Sequence, residues 1–229
     1  TPTQAGTVTV TATKAGDNNY NPVTSAPVTI TIEKAAYTGA DTAAGSAKYG
    51  NSGTVDLSGL IVSGGTATVG TVTDGSRILT DTPTVSGNVL TFALVNNKDN
   101  VGKTVAIPVT VTSDNYEGYT ITVTVTVNDK NTDTTTMKVS LKGWTYGDAA
   151  NTPSVSGVSG GTAVYSYSGT GSTTYGPSAT VPTAAGTYRV TATYENADTI
   201  YTASADFTIA KADPEIGTVS VSTPATIFT

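Results

Sequence analysis

Between residues 104 and 127 the chain alternates apolar and polar side chains almost without a break. Val105, Ile107, Val109 and Val111 come first; an Asp114-Asn115-Tyr116 corner follows, then Ile121, Val123, Val125 and Val127, with threonines between. Successive side chains of an extended strand point to opposite faces, so this period of two lays one face on a core and turns the other to water. Two strands joined by a short turn-rich corner read as a hairpin. The phrase recurs. Ala5-Gly6-Thr7 opens a copy that passes Asn19-Tyr20 and closes on Val28-Thr29-Ile30. Ala185-Gly186-Thr187 opens another that passes Tyr201 and closes on Phe207-Thr208-Ile209. Three copies in 229 residues imply a tandem array.

In the first copy Val8, Val10 and Ala12 share one face, and Val28, Ile30 and Ile32 form the next inward set; Ala15-Gly16-Asp17-Asn18-Asn19 makes the turn. Residues 36–127 read as a whole domain, with short strands around 53–57, 60–62 and 66–72. Glycines at 39, 45, 50, 59, 64 and 65 mark turns between them. Gly87-Asn88 splits 83–95 into a hairpin. Pro108 has no N–H to give a neighbour, which predicts a sheet edge or a bulge beside it. Asn128-Asp129-Lys130-Asn131-Thr132-Asp133 lacks an apolar period and reads as a linker. A third unit follows, sharing Val-Ser-Gly-Gly-Thr-Ala with the second at 62–67 and 158–163, and turning Tyr188, Val190, Ala192 and Tyr194 inward. The expected division is 1–35 as the closing half of a repeat, 36–131 as a sandwich plus linker, 132–212 as a second sandwich, and 213–229 as the first strand of a following repeat. The opening at Thr1 in mid-motif reads as an excised piece of something longer. An isolated hairpin is marginal in water, so 1–35 must find partners.

Composition closes off whole classes of function. Charged residues make up 12% of the chain, about half the usual share. The net charge is −6 with no basic stripe, which disfavours nucleic acid and anionic membrane surfaces. No apolar run approaches the ~18 residues of a membrane helix, so membrane insertion is not expected. There is no Cys and no His, hence no disulfide, no Ser/His/Asp or Cys/His machinery and no His-ligated zinc. The acids sit in turns and linkers with nothing to place two of them across a cleft. The reading is a non-enzyme without a cofactor.

Residues 142–212 resemble the MBG-type repeats of bacterial surface proteins, which are marked by a Tyr-Gly-X opening. The matching residues are Trp144-Thr145-Tyr146-Gly147-Asp148, Ser156-Gly157, Gly160-Gly161, Ala184-Ala185-Gly186-Thr187-Tyr188 and the closing Ala210-Lys211-Ala212. Residues 1–35 look like the second half of such a unit. The middle unit, with Tyr37-Thr38-Gly39 where Tyr-Gly would stand, looks more like a generic bacterial immunoglobulin-like repeat. The resemblance implies an all-β chain of tandem immunoglobulin-like β-sandwich modules. It implies an extracellular place on a bacterial cell surface, and a spacer or adhesin-like role in a secreted or cell-wall-attached protein. The partners expected are neighbouring repeats of the same protein, a glycan or host surface protein, and copies of the chain itself assembling by strand complementation.

Two kinds of site are worth following. Asp17, Asp114 and Asp198 recur at the hairpin corners as oxygen ligands suited to calcium, against the plainer account that such side chains bond the turning backbone. Asp129 and Asp133 are a second set. Tyr165, Tyr167 and Tyr175 could make a flat platform for sugar rings, the competing account being that aromatics, Trp144 above all, fill a core poor in Leu and Phe.

Overall fold

The computed structural model describes residues 3–214 together with Gly217 and Ser220. The expected strand at 213–229 therefore lies almost wholly outside the described residues. The chain divides into a first unit ending at Lys130 and a second beginning at Asn131. Among the described residues there is no α-helix.

The first unit opens with a two-stranded ribbon, β1 (Gly6–Val10) against β4 (Val28–Ile32), prolonged by β2 (Thr13–Lys14) against β3 (Val23–Thr24). A seven-stranded sandwich follows. One sheet has the order β5 (Thr42–Lys48), β11 (Tyr119–Asn128), β10 (Thr104–Thr112), β7 (Thr66–Val69). The other is β6 (Ser52–Asp56), β9 (Val89–Ala93), β8 (Thr84–Ser86). All pairs are antiparallel except β5 with β11, the first and last strands, which run parallel. The alternation read from residues 104–127 holds residue by residue: Ile107, Val109, Val111, Ile121, Val123 and Val125 have no exposed surface. They meet Leu57, Leu90, Phe92 and Leu94 across the sandwich. This is an immunoglobulin-like module.

Several local expectations change. Leu60 and Ile61 are not in a strand; their amides donate to the Leu57 carbonyl in a turn. Gly45 is not a turn residue but lies inside β5, where its missing side chain leaves room for Val55. Gly87-Asn88 does form the β8–β9 turn, with Gly87 at φ +58. Pro108 sits in β10, an inner strand between β11 and β7 and not a sheet edge; the β7 ladder stops one residue short of it, at Val109 beside Val69, and its carbonyl accepts the Gly70 amide.

The ribbon corrects the largest expectation. Val8, Val10, Val28 and Ile30 are 39%, 48%, 62% and 49% exposed, and Ala12 is exposed as well. A single pair of strands has one layer, and among the described residues of this unit no second layer faces it. The ribbon is held at its base: the Ala5 amide donates to Asn115 Oδ1 at 2.9 Å, Lys34 Nζ to the Ser113 carbonyl at 2.7 Å, and Ala35 bridges Tyr116.

The segment 128–133 is not an open linker. Asn128 is paired in β11, and Lys130 is 8% exposed with its ammonium over the Tyr49 ring. Asn131–Asp133 forms β12, parallel to the last strand of the second unit. That unit has a main sheet of β12, β18 (Thr199–Ala210), β17 (Gly186–Glu195) and β16 (Val164–Gly169), with β14 (Trp144–Thr145) also pairing β18. The two-stranded sheet β13 (Lys138–Ser140) with β15 (Ser154–Ser156) forms the other layer. Tyr188, Val190, Ala192, Tyr194, Phe207 and Ile209 are buried between them, as their spacing predicts.

Candidate functional site

Each calcium candidate stands at its own hairpin corner. Asp17 and Asp114 belong to the first unit and Asp198 to the second. Asp17 Oδ1 accepts the amides of Asn19 and Tyr20 at 2.8 and 2.9 Å, closing its own turn. Asp114 Oδ2 accepts from Gln4. At the Asp198 corner it is Asn196 Oδ1 that takes the amides of Asp198 and Thr199. Asp129 caps the Lys130 amide, and Asp133 binds Thr135 and Thr136. Among the described residues no group of three or more acidic side chains is placed to hold a metal ion.

The tyrosine platform is turned inward. Tyr167 is 3% exposed and meets Phe207 edge-on at 6.2 Å between ring centres. Tyr165 and Tyr175 are half-buried against the same core, and Tyr175 makes an edge contact with Tyr188 at 5.8 Å. The strand β16 carries Tyr165 and Tyr167 on one face, but that face is the core face. Burying the large rings compensates for the shortage of Leu and Phe. Burial also pushes the Tyr167 phenol above its ordinary pKa, with the neighbouring Tyr165 adding to the effect.

Among the described residues of this unit the exposed aromatic is Tyr146, which lies outside the Tyr165, Tyr167 and Tyr175 set. Trp144 pairs with Ile209 in β14 and stacks on Phe207 at 5.3 Å, half-buried. Two residues on, the chain is leaving the sheet: the Tyr146 amide donates to the Ala210 carbonyl at 2.8 Å, Gly147 takes φ +95, and Asp148 closes a turn onto Thr145. The turn leaves Tyr146 56% exposed. Its ring stands between two shallow depressions. One, of about 370 Å³, is lined by Trp144, Asp148, Val181, Pro182 and Thr183 among others. The second, of about 340 Å³, is lined by Ala184, Ala185, Lys211 and Ala212. A phenol face offers stacking to the C–H face of a sugar, and Asp148, Thr183 and Lys211 supply hydrogen-bonding groups around it. In the sequence, Gly147-Asp148 directly after Tyr146 signals the turn but not the side to which the ring goes.

A larger hollow lies in the first unit, about 590 Å³, along the loop 70–83. It is lined by Thr71, Asp74, Thr80 and Asp81 without an aromatic. Asp74 Oδ2 accepts the Leu79 amide at 2.7 Å, while Oδ1 is buried with no hydrogen-bond partner. The smaller aromatic groove is the better candidate, because apolar surface with convergent polar groups is what ligand sites share.

No family model matches the chain, and no curated protein matches it. Among solved structures, the N-terminal four Ig domains of Dscam1 isoform 6.9 align with 75% of the chain at 14% identity and a TM-score of 0.31. The chain covers 44% of that structure's length. Human mucin-like protocadherin EC1-2 aligns with 76% of the chain and 96% of its own length at 11% identity and a TM-score of 0.29. Sidekick-1 immunoglobulin domains 1–4 align with 93% of the chain and 73% of theirs at 10% identity and a TM-score of 0.28. The fold assignment rests on the strand order and registers of the chain itself. Among the described residues no helix is long and apolar enough to cross a membrane.

Proposed function

We propose that the chain is a structural spacer segment of a secreted or cell-wall-attached bacterial surface protein, adhesin-like in setting and without catalytic activity. One observation carries the reading. The first and last strands of the first sandwich, β5 and β11, lie side by side and parallel over seven residues, from Thr42 beside Thr122 to Lys48 beside Asn128. Tension on the chain enters at the start of β5 and leaves at the end of β11. It drags the two strands past each other along their length, so the bonds between them share the load instead of opening one at a time. The second unit repeats the device on a smaller scale: β12 and β14, near its start, both run parallel to β18, its last described strand. Outward threonines on β11 and β17 suit a solvated coat.

Single-molecule stretching tests this, since forced unfolding is governed by the unfolding barrier. The expected record shows two resolved sandwich-unfolding events, the seven-residue clamp yielding at the higher force. A featureless low-force extension would end the spacer reading.

A second reading is favoured by the exposed Tyr146: a glycan-binding face on the second unit. Trp144 is the chain's single tryptophan and borders the groove, so its fluorescence reports occupancy. Titration with wall and host polysaccharides is expected to give saturable quenching that Tyr146→Ala removes. No quenching with any of them would leave the spacer alone.

A further inference from the structure

The ribbon β1/β4 and the hairpin β17/β18 have the same register. Gly6 faces Ile32 as Gly186 faces Ile209; Val8 faces Ile30 as Tyr188 faces Phe207; Val10 faces Val28 as Val190 faces Ala205. The outer pairs match too, Thr7 with Thr31 answering Thr187 with Thr208. Past the second strand, Ile32-Glu33-Lys34-Ala35 parallels Ile209-Ala210-Lys211-Ala212. The same hairpin is therefore built twice, and its surroundings differ. In the second unit the inner face is buried, with Tyr188 2% and Ile209 1% exposed, beneath side chains of the preceding segment: Val139, Leu141, Trp144, Tyr175 and Val181. In the ribbon the corresponding face is open, and its fastening to the 113–117 corner involves the base alone.

We propose that the ribbon is the closing hairpin of a further sandwich built like the second unit. Its Val8/Val10/Val28/Ile30 face is a docking surface for an opening β half-unit of the kind formed by residues 137–181. The face fixes the chemistry of its occupant. It carries no charge, so a charged partner would lose hydration with nothing gained. It is one layer of β-branched side chains, which pack best against a second alternating layer about 10 Å away. A second copy of this chain is a poorer fit, because its own opening segment is already seated on its own β17/β18. The inference goes beyond the spacer reading and does not depend on it.

The test is a fusion of residues 134–180 ahead of Thr1 in the full chain. At that joint Pro2-Thr3 and Ala5-Gly6-Thr7 continue as Pro182-Thr183 and Ala185-Gly186-Thr187 do, so no register has to be invented. Hydrogen exchange is read at the amides of β1 and β4. In the parent chain these amides are expected to exchange quickly, as in a marginally stable two-stranded ribbon. In the fusion they are expected to slow by at least about 100-fold, as in a cooperatively closed unit. Ile30→Asp in the fusion is expected to abolish the protection, while Thr29→Asp, on the outer face, keeps it. A fusion that leaves β1 and β4 exchanging as in the parent overturns the proposal. So does equal loss with the inner and outer substitutions. Sedimentation of the parent chain guards against the alternative occupant: dimerisation at micromolar concentration that Ile30→Asp removes would assign the face to a second copy and overturn the proposal as well.

Discussion

Tyr194 reaches from the end of β17 to donate its hydroxyl proton to the Ser159 carbonyl at 2.7 Å. In the first unit Tyr119 does the same for the matching turn. Its hydroxyl donates to the Leu60 carbonyl at 2.7 Å and accepts the Val62 amide at 3.0 Å. Both tyrosines stand near a hairpin tip, and both pin the Val-Ser-Gly-Gly-Thr-Ala turn whose first glycine takes a positive φ, +73 at Gly64 and +89 at Gly160. The Tyr119 ring is further held by a face-to-face stack on Tyr37 at 3.8 Å.

Removing either hydroxyl leaves turn carbonyls to water at little cost in packing. Tyr119→Phe and Tyr194→Phe are each expected to lower unfolding free energy by about 1 kcal/mol in urea denaturation, Tyr119→Phe the more, since two bonds are lost. Gly160→Ala is expected to cost about 1 kcal/mol through its positive φ. A loss confined to the background of ordinary surface substitutions would show that the turn does not depend on its tyrosine.

In the first unit Phe92 lies over a strand position that has no side chain. A Cβ on Gly53 would overlap the Phe92 ring, and a Cβ on Gly45 would come 2.5 Å from a Val55 methyl. Gly53→Ala and Gly45→Ala are each expected to destabilise by about 1–3 kcal/mol, as overpacking does. Phe92→Leu alone opens a smaller deficit. Combined with Gly53→Ala it should cost less than the sum of the two, and a double-mutant cycle in denaturant measures that coupling. Strict additivity would mean the ring and the glycine do not share the space.

How far the sequence could be read depended on the range of the interactions. The inward sets on β10, β11 and β17 were legible because a period of two leaves no choice of face once one face is buried. The same period misled at Val8 and Ile30. Periodicity reports which side chains share a face, and says nothing of whether a second layer covers it. Gly45 read as a turn because glycine is ambiguous between a bend and a close approach, and the Val55 methyl that decides between them is distant in the sequence and across the sandwich. Tyr165 and Tyr167, two residues apart, share a face of β16, but which face is inside depends on the position of the partner sheet. That Tyr146 and not the Tyr165, Tyr167 and Tyr175 set is the exposed ring follows from the Gly147 turn beyond β14.

Asp133 fastens the turn after β12 through its carboxylate. Its Oδ2 accepts the Thr136 hydroxyl at 2.6 Å, and Oδ1 accepts the amides of Thr136 and Thr135 at 2.9 and 2.7 Å. These bonds favour the carboxylate and hold its pKa well below the ordinary 3.8. A depressed folded-state pKa stabilises the fold above 3.8, and the contribution is lost as pH falls below that value toward the folded one. Melting of the second unit is expected to be flat from about pH 7 to 5 and to drop below about 4. Asp133→Ala should lower the neutral-pH Tm and make the acid fall shallower, though not absent, because Arg189 also depresses Asp206. An unchanged acid limb in Asp133→Ala would place the sensitivity elsewhere.

Neighbouring residues on β18 separate the two faces of the sandwich. Asp206 points outward and takes a two-pronged contact from Arg189 on β17, Nε to Oδ1 at 2.7 Å and a second guanidinium nitrogen to Oδ2 at 3.0 Å. The geometry is good, yet the side chains are 50% and 60% exposed, so water screens the pair and the desolvation that would strengthen it is missing. Phe207, next in sequence, is 5% exposed and touches the rings of Trp144, Tyr167 and Tyr188. Asp206→Asn is expected to cost little at low salt and less still at 1 M salt. Phe207→Ala is expected to cost about 3–5 kcal/mol whatever the salt, since it removes the ring around which the other three are arranged. Equilibrium denaturation of the second unit at two ionic strengths reads both, and a salt-dependent Phe207→Ala or a costly Asp206→Asn would reverse the assignment of which face carries the stability.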